Sequence, residues 1–134
     1  MSVFVDTSAI LAVLHADDAN HGKAAATFRG MLDRGQALVT SNYCVIETVA
    51  IVQHRFGLRA VRSFHADLLP VMAVTWVDAE IHGESTMALL TADRRGLSLV
   101  DCTSFAIMRR QAITRAFHFD RHFQEQGFEF PRLA

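Results

Sequence analysis

Met1-Ser2-Val3-Phe4-Val5-Asp6-Thr7-Ser8-Ala9-Ile10-Leu11-Ala12-Val13-Leu14-His15 is the stretch that decides the fold class. Residues 1–5 are apolar and rich in β-branched side chains, as a strand covered on both faces requires. From Thr7 onward, Ile10, Leu11, Val13 and Leu14 follow helical spacing, so the hydrophobic period changes from strand to helix across Asp6. The same alternation runs through the chain. Strands are expected at 37–40, 73–77, 115–119 and 128–130, and helices at 21–34, 42–56, 58–69, 78–92, 99–110 and 121–126. Gly57 closes the third helix and Pro70 ends the fourth. Strands alternating with helices imply an α/β domain, a parallel sheet of four to five strands with helices on both faces.

At 134 residues and 51% hydrophobic composition, without a repeat or a Pro/Gly-rich linker, residues 1–134 are expected to form one domain. No apolar run approaches the roughly 20 residues of a membrane span, and the first residues meet an acid without a basic region, unlike a signal peptide. The two cysteines, Cys44 and Cys102, each sit in an apolar helical pattern and read as reduced thiols of a cytoplasmic protein. The net charge of -1 conceals an uneven distribution. Residues 1–92 carry six basic against nine acidic side chains, whereas residues 93–121 carry six arginines against three aspartates. Near-neutrality is therefore compatible with a polyanionic partner along the second stretch.

In an open parallel sheet, ligands bind beyond the carboxyl ends of the strands, which draws attention to the acids placed there. Asp6 follows the first strand, Asp120 the fourth, and Asp101 opens the helix at 99–110. Each can also be a helix cap: Asp is a preferred N-cap residue, and Ser98 with Asp101 three positions on resembles a capping box. Asp78 follows a strand too, and nothing else distinguishes it from a cap. Glu47 lies on a largely apolar stripe with Tyr43, Ala50, Ile51 and His54, with no cation three or four residues away. If Asp6, Glu47, Asp101 and Asp120 converge, they must hold protons or a cation, because two unit charges 4 Å apart repel by roughly 4 kcal/mol at an effective dielectric near 20. An all-oxygen donor set describes a hard cation such as Mg²⁺ or Mn²⁺.

Val5-Asp6-Thr7-Ser8-Ala9, Glu47 on a mid-chain helix, Asp101-Cys102-Thr103-Ser104-Phe105 and Phe119-Asp120-Arg121-His122-Phe123 together resemble the four acidic motifs of the PIN-domain family, and specifically its VapC-type toxins. The resemblance covers essentially the whole chain. It implies a PIN-like domain and a Mg²⁺- or Mn²⁺-dependent endoribonuclease that hydrolyses RNA through a metal-activated water. It also implies inhibition by a cognate antitoxin protein, and a homodimer. By position, Asp6, Asp101 and Asp120 would be the metal ligands, and Glu47 would orient or deprotonate the attacking water. Thr7, Ser104 and Arg121 would be substrate-positioning candidates. His118 departs from the pattern, since relatives often carry a small residue two positions before the fourth acid.

Other chemistries lack their sequence features. His118 and His122 are four residues apart but separated by a strand-to-helix break, and no Cys-x-x-Cys or His-Glu-x-x-His motif accompanies them. No Gly-rich turn follows a strand, as a dinucleotide or P-loop site would require. A Mg²⁺-binding phosphoacceptor signalling domain needs a lysine after a late strand, and the only lysine, Lys23, is early. A catalytically silent module that only binds RNA or protein is the remaining alternative.

Overall fold

The computed structural model describes residues 1–132. Strands β1 (Ser2–Val5), β2 (Ala37–Ser41), β3 (Met72–Thr75) and β4 (Arg115–Phe117) form one parallel sheet in the order β3-β2-β1-β4. The register pairs Phe4 with Val39 on one side and with Ala116 on the other. Pleating sends alternate side chains to opposite faces, and the core divides accordingly. Val3, Val5, Leu38, Met72 and Phe117 pack with helices α1 (Thr7–Leu14) and α2 (His21–Asp33), whereas Phe4, Val39 and Ala116 face the other way. That second face is covered by α5 (Ala79–Ala92), α6 (Leu99–Arg110) and α7 (Arg121–Glu125). Helix α6 is buried continuously from Asp101 to Met108, so it is wrapped on all sides.

Helix α3 (Asn42–Phe56) starts where the Ser41 hydroxyl accepts from the Cys44 N–H, and stops at Gly57, whose φ of 82° suits a residue without Cβ. Its buried stripe is Cys44, Thr48 and Val52, one step round from the stripe of Glu47, which is half-buried. The helix expected at 58–69 is α4 (Leu58–Ser63) followed by a π turn, Phe64–Leu68, and a 3₁₀ turn, Leu69–Val71. Pro70 cannot donate and cannot sit inside an α-helix, and the last turns change pitch before it.

Two strands are shorter than expected because their N–H groups find other partners. The Val77 N–H is taken by the Asn42 side chain at 2.8 Å, so β3 ends at Thr75, and the Phe119 N–H is taken by the Ser8 hydroxyl at 2.9 Å, so β4 ends at Phe117. The strand expected at 128–130 is a single parallel bridge between Glu129 and Arg115, held by the Ala116 N–H donating to the Glu129 carbonyl. The sheet therefore has four strands. Cys44 and Cys102 are buried free thiols, and among the described residues no helix is long and apolar enough to cross a membrane.

Candidate active site

After β1 the chain moves to β2 and β3 on one side, then returns to place β4 on the other side of β1. The strand order reverses between β1 and β4, and a crevice beyond their carboxyl ends follows from that reversal. Asp6 and Asp120 leave these two strands at that point. Asp6 is fixed by the sheet itself: its N–H donates to the Phe117 carbonyl at 3.0 Å, and the preceding Val5 carbonyl accepts from the Thr40 hydroxyl at 2.9 Å.

All three aspartates take part in helix caps, Asp6 and Asp120 as N-cap residues and Asp101 as the partner of the N-cap Ser98. Asp6 Oδ2 accepts from the Ser8 N–H at 3.1 Å and the Ser8 hydroxyl at 2.6 Å. Asp101 completes a capping box: its N–H donates to Ser98 Oγ at 3.0 Å and its Oδ2 accepts from the Ser98 N–H at 3.1 Å. Asp120 Oδ1 accepts from the His122 N–H at 3.0 Å. Each cap engages one carboxylate oxygen and leaves the other outside the cap bond.

Electrostatics ties the group together. Burial pushes Asp6 up from 3.8 to about 7, against the opposing hydrogen bonds from Ser8, and the charges of Asp101 and Glu47 raise it further. Glu47 is raised by burial and by Asp101 and Asp120, with the Thr7 hydroxyl partly offsetting them. Asp101 is raised by burial and by Asp120, partly offset by the Ser98 hydrogen bonds and by His122. Three carboxyl groups raised by burial and by neighbouring carboxylates, packed beside a fourth acid, need protons or a cation. Among the described residues, ligand atoms of Asp101, Asp120 and His122 lie within 4.8 Å of one another; Asp6 and Glu47 join them by charge, outside that tight group.

The remaining candidates separate by exposure. Thr7 is buried, its hydroxyl donating to the Cys44 carbonyl and accepting from Thr48, both at 3.3 Å, which fastens the start of α1 to α3. Ser104 is fully buried and its hydroxyl donates to the Val100 carbonyl at 2.9 Å, so it offers no exposed atom to a substrate. Arg121 is exposed beside Asp120.

His122 was not among the residues expected here. Its Nδ1 lies 3.0 Å from Glu125 Oε1 and its Nε2 3.0 Å from the Gly96 carbonyl. Both partners are acceptors, so the ring ties α7 to the turn before α6, the two elements that carry Asp120 and Asp101. With both nitrogens engaged, it braces the acids instead of adding a ligand to them. The available signal was its place two residues after an N-cap aspartate, which turns its side chain back toward the cap.

The fold has counterparts among known proteins. Residues 3–129 match the family described as PIN domain. The chain is 37% identical over 127 residues to the 23S rRNA-specific endonuclease VapC20 of two Mycobacterium tuberculosis strains, covering 94% of this chain and 95% of each relative. The crystal structure of Mycobacterium tuberculosis VapC20, a sarcin–ricin loop cleaving toxin, superposes with a TM-score of 0.84 at 35% identity, over 98% of this chain and 99% of that one.

Proposed function

Because the chain belongs to the PIN-domain family, we propose that it is a Mg²⁺- or Mn²⁺-dependent endoribonuclease of the VapC toxin type, acting on 23S rRNA. One observation carries the reading: at the reversal of strand order, Asp101 and Asp120 lie close together and Asp6 and Glu47 are coupled to Asp101 by charge, each aspartate keeping a carboxylate oxygen outside its cap bond. The donor set fits a hard divalent cation, being made of carboxylate oxygens that repel one another without one. Asp6, Asp101 and Asp120 would hold the ion, which when bound lowers the pKa of water and offsets charge on phosphate oxygens. Glu47, half-buried and with its proton affinity raised, suits the group that takes a proton from the attacking water at its carboxylate. Arg121, with a fork that matches phosphate oxygens, suits orientation of the phosphodiester.

A cognate antitoxin is the expected partner, and the exposed apolar side chains Ile46, Phe56 and Leu58 support a homodimer or partner contact along α3 and α4. Two buried free thiols suit a reducing cytoplasm. The test is cleavage of a 23S rRNA fragment by purified protein. Cutting should require Mg²⁺ or Mn²⁺, stop with a chelator and stop in Asp101→Asn. Expression alone should arrest growth, and co-expression of the adjacent small gene should relieve it. Cutting at the wild-type rate by Asp101→Asn would remove the assignment.

A further inference from the structure

Beside the acids, and lined by none of them, lies a cleft of about 610 Å³. That volume is in the range of small-ligand pockets. Its walls are aromatic: His118 and Phe119 from the connection between β4 and α7, and Phe128 and Phe130 from the segment after α7, all half-buried. Lys23, from α2, and Arg121 stand exposed at its rim. Neither cation has a carboxylate within 4.0 Å among the described residues. The one acid on the cleft, Glu129, is already paired with Arg132 at 3.2 Å. The cleft thus presents aromatic faces and free positive charge together.

The walls are held in place and joined to the acids. His118 lies flat on the core ring Phe123, with centroids 5.0 Å apart and planes at 23°. Its Nδ1 accepts from the Asp120 N–H at 3.2 Å. The Phe119 N–H donates to the Ser8 hydroxyl, which itself donates to Asp6 Oδ2. A group seated in the cleft is therefore registered, through one short run of backbone, against Asp6 and Asp120. Lys23 Nζ sits 4.4 Å from the centroid of the half-buried Phe130 ring.

We propose that this cleft is a nucleotide subsite, in which an unstacked base of the substrate RNA stacks on the aromatic walls while Lys23 and Arg121 hold the adjoining phosphate. The proposal rests on the endoribonuclease reading and extends it to how the substrate is held. A base on Phe130 takes the place the ammonium now occupies and frees Lys23 to pair with the phosphate of the same nucleotide. Aromatic stacking with a cationic rim is how single-stranded RNA is gripped, and a loop nucleotide can be splayed into such a cleft at modest cost. His118, absent from the usual motif, is in this view part of the wall that fits the base.

The experiment measures cleavage of a short 23S rRNA hairpin with Mn²⁺ by the full chain, its Lys23→Ala and Phe130→Leu variants, and a set of hairpins made abasic at one loop position each. Both variants should raise KM about 10-fold at unchanged kcat, and one abasic position should cost wild type about 10-fold. The same abasic position should cost Phe130→Leu nothing further. Lys23 is exposed, so its variant folds whatever Phe130 contributes to packing. If wild type cuts but both variants keep its KM and its abasic profile, the subsite is overturned and the endoribonuclease reading stands. If wild type cuts no RNA with any divalent ion, both fall. If the variants weaken binding of the co-expressed antitoxin and leave RNA unaffected, the cleft belongs to the protein partner and the nucleotide subsite is overturned.

Discussion

Asp6 and Asp78 occupy nearly the same local structure and end in different chemistry. Each follows a strand and caps a helix, with φ/ψ of -87°/156° at Asp6 and -88°/178° at Asp78, and each gives a carboxylate oxygen to a first-turn N–H. What differs is the strand that delivers them. Asp6 leaves β1, inside the sheet and next to β4, and so feels the charges of Asp101 and Glu47; Asp78 follows β3 at the sheet edge. A cap is decided by a few neighbouring residues, whereas a cluster of acids is decided by strand order.

The largest effect that separates the two regions is on turnover. Asp101→Asn preserves shape and removes the charge, so RNA cleavage should fall by at least about 10²-fold, since charge stabilisation at a phosphoryl site supplies several kcal/mol and each 1.4 kcal/mol is tenfold. Asp78→Asn should leave the rate unchanged. Matching losses from both variants would mean that caps in general, through folding, control activity, and the distinction drawn between the two regions would collapse. Circular dichroism of both variants reads folding separately.

Next in size is the stability of the metal-free protein. Asp6, raised by burial from 3.8 to about 7, keeps its proton in the folded chain at pH values where the unfolded chain has lost it. Its contribution is complete below about pH 4 and is lost as pH climbs through about 7, a decline of up to about 4 kcal/mol. Glu47 and Asp101 are raised as well and push in the same direction. The Tm without metal should therefore fall from pH 4 to pH 7, Mg²⁺ should restore it at pH 7, and Asp6→Asn should flatten the curve. A metal-free Tm that rises over this interval would show that the acids are not crowded. Asp78→Asn should leave the slope as it is.

A third effect concerns the brace on the acid side. His122 ties the Gly96 carbonyl to Glu125 and so holds the start of α6 against α7. His122→Gln can keep one of these bonds but not both. Residues that orient metal ligands typically change affinity by 10–100-fold, so Mn²⁺ binding followed by calorimetry should weaken about 10-fold. Arg94→Ala touches only the exposed Glu125 and should change it little.

These contrasts also mark what was legible in the sequence. The switch from strand to helix period across Asp6, the capping box at Ser98 and Asp101, and the glycine stop at Gly57 are local signals, and each reappears in the structure. The strand ends are not local. Phe119 leaves the ladder because Ser8, 111 residues away, takes its N–H, and Val77 because Asn42 does. Glu47 drew notice for its apolar stripe, yet the buried stripe is that of Cys44, Thr48 and Val52, and Glu47 sits at its border. The bracing role of His122 is illegible for the same reason: its two partners lie on a helix and a turn that only the fold brings together.

The smallest effects test whether the Asp78 side is as free of function as its geometry implies. Helix α5 carries Ser85, fully buried, whose hydroxyl has no hydrogen-bond partner among the described residues. An unmet buried hydroxyl destabilises, and alanine is the better helix former, so Ser85→Ala should raise stability by about 1 kcal/mol. Asp78→Ala removes a cap and should lower stability by about the same amount. Denaturant midpoints read both, and RNA cleavage should be unchanged in each. The acid cluster offers no such freedom: there, the substitution that relieves the folded chain, Asp6→Asn, is also expected to abolish RNA cleavage. A loss of cleavage in Ser85→Ala at raised stability would mean that α5 acts on the site through α6, and the boundary between the two regions would have to move.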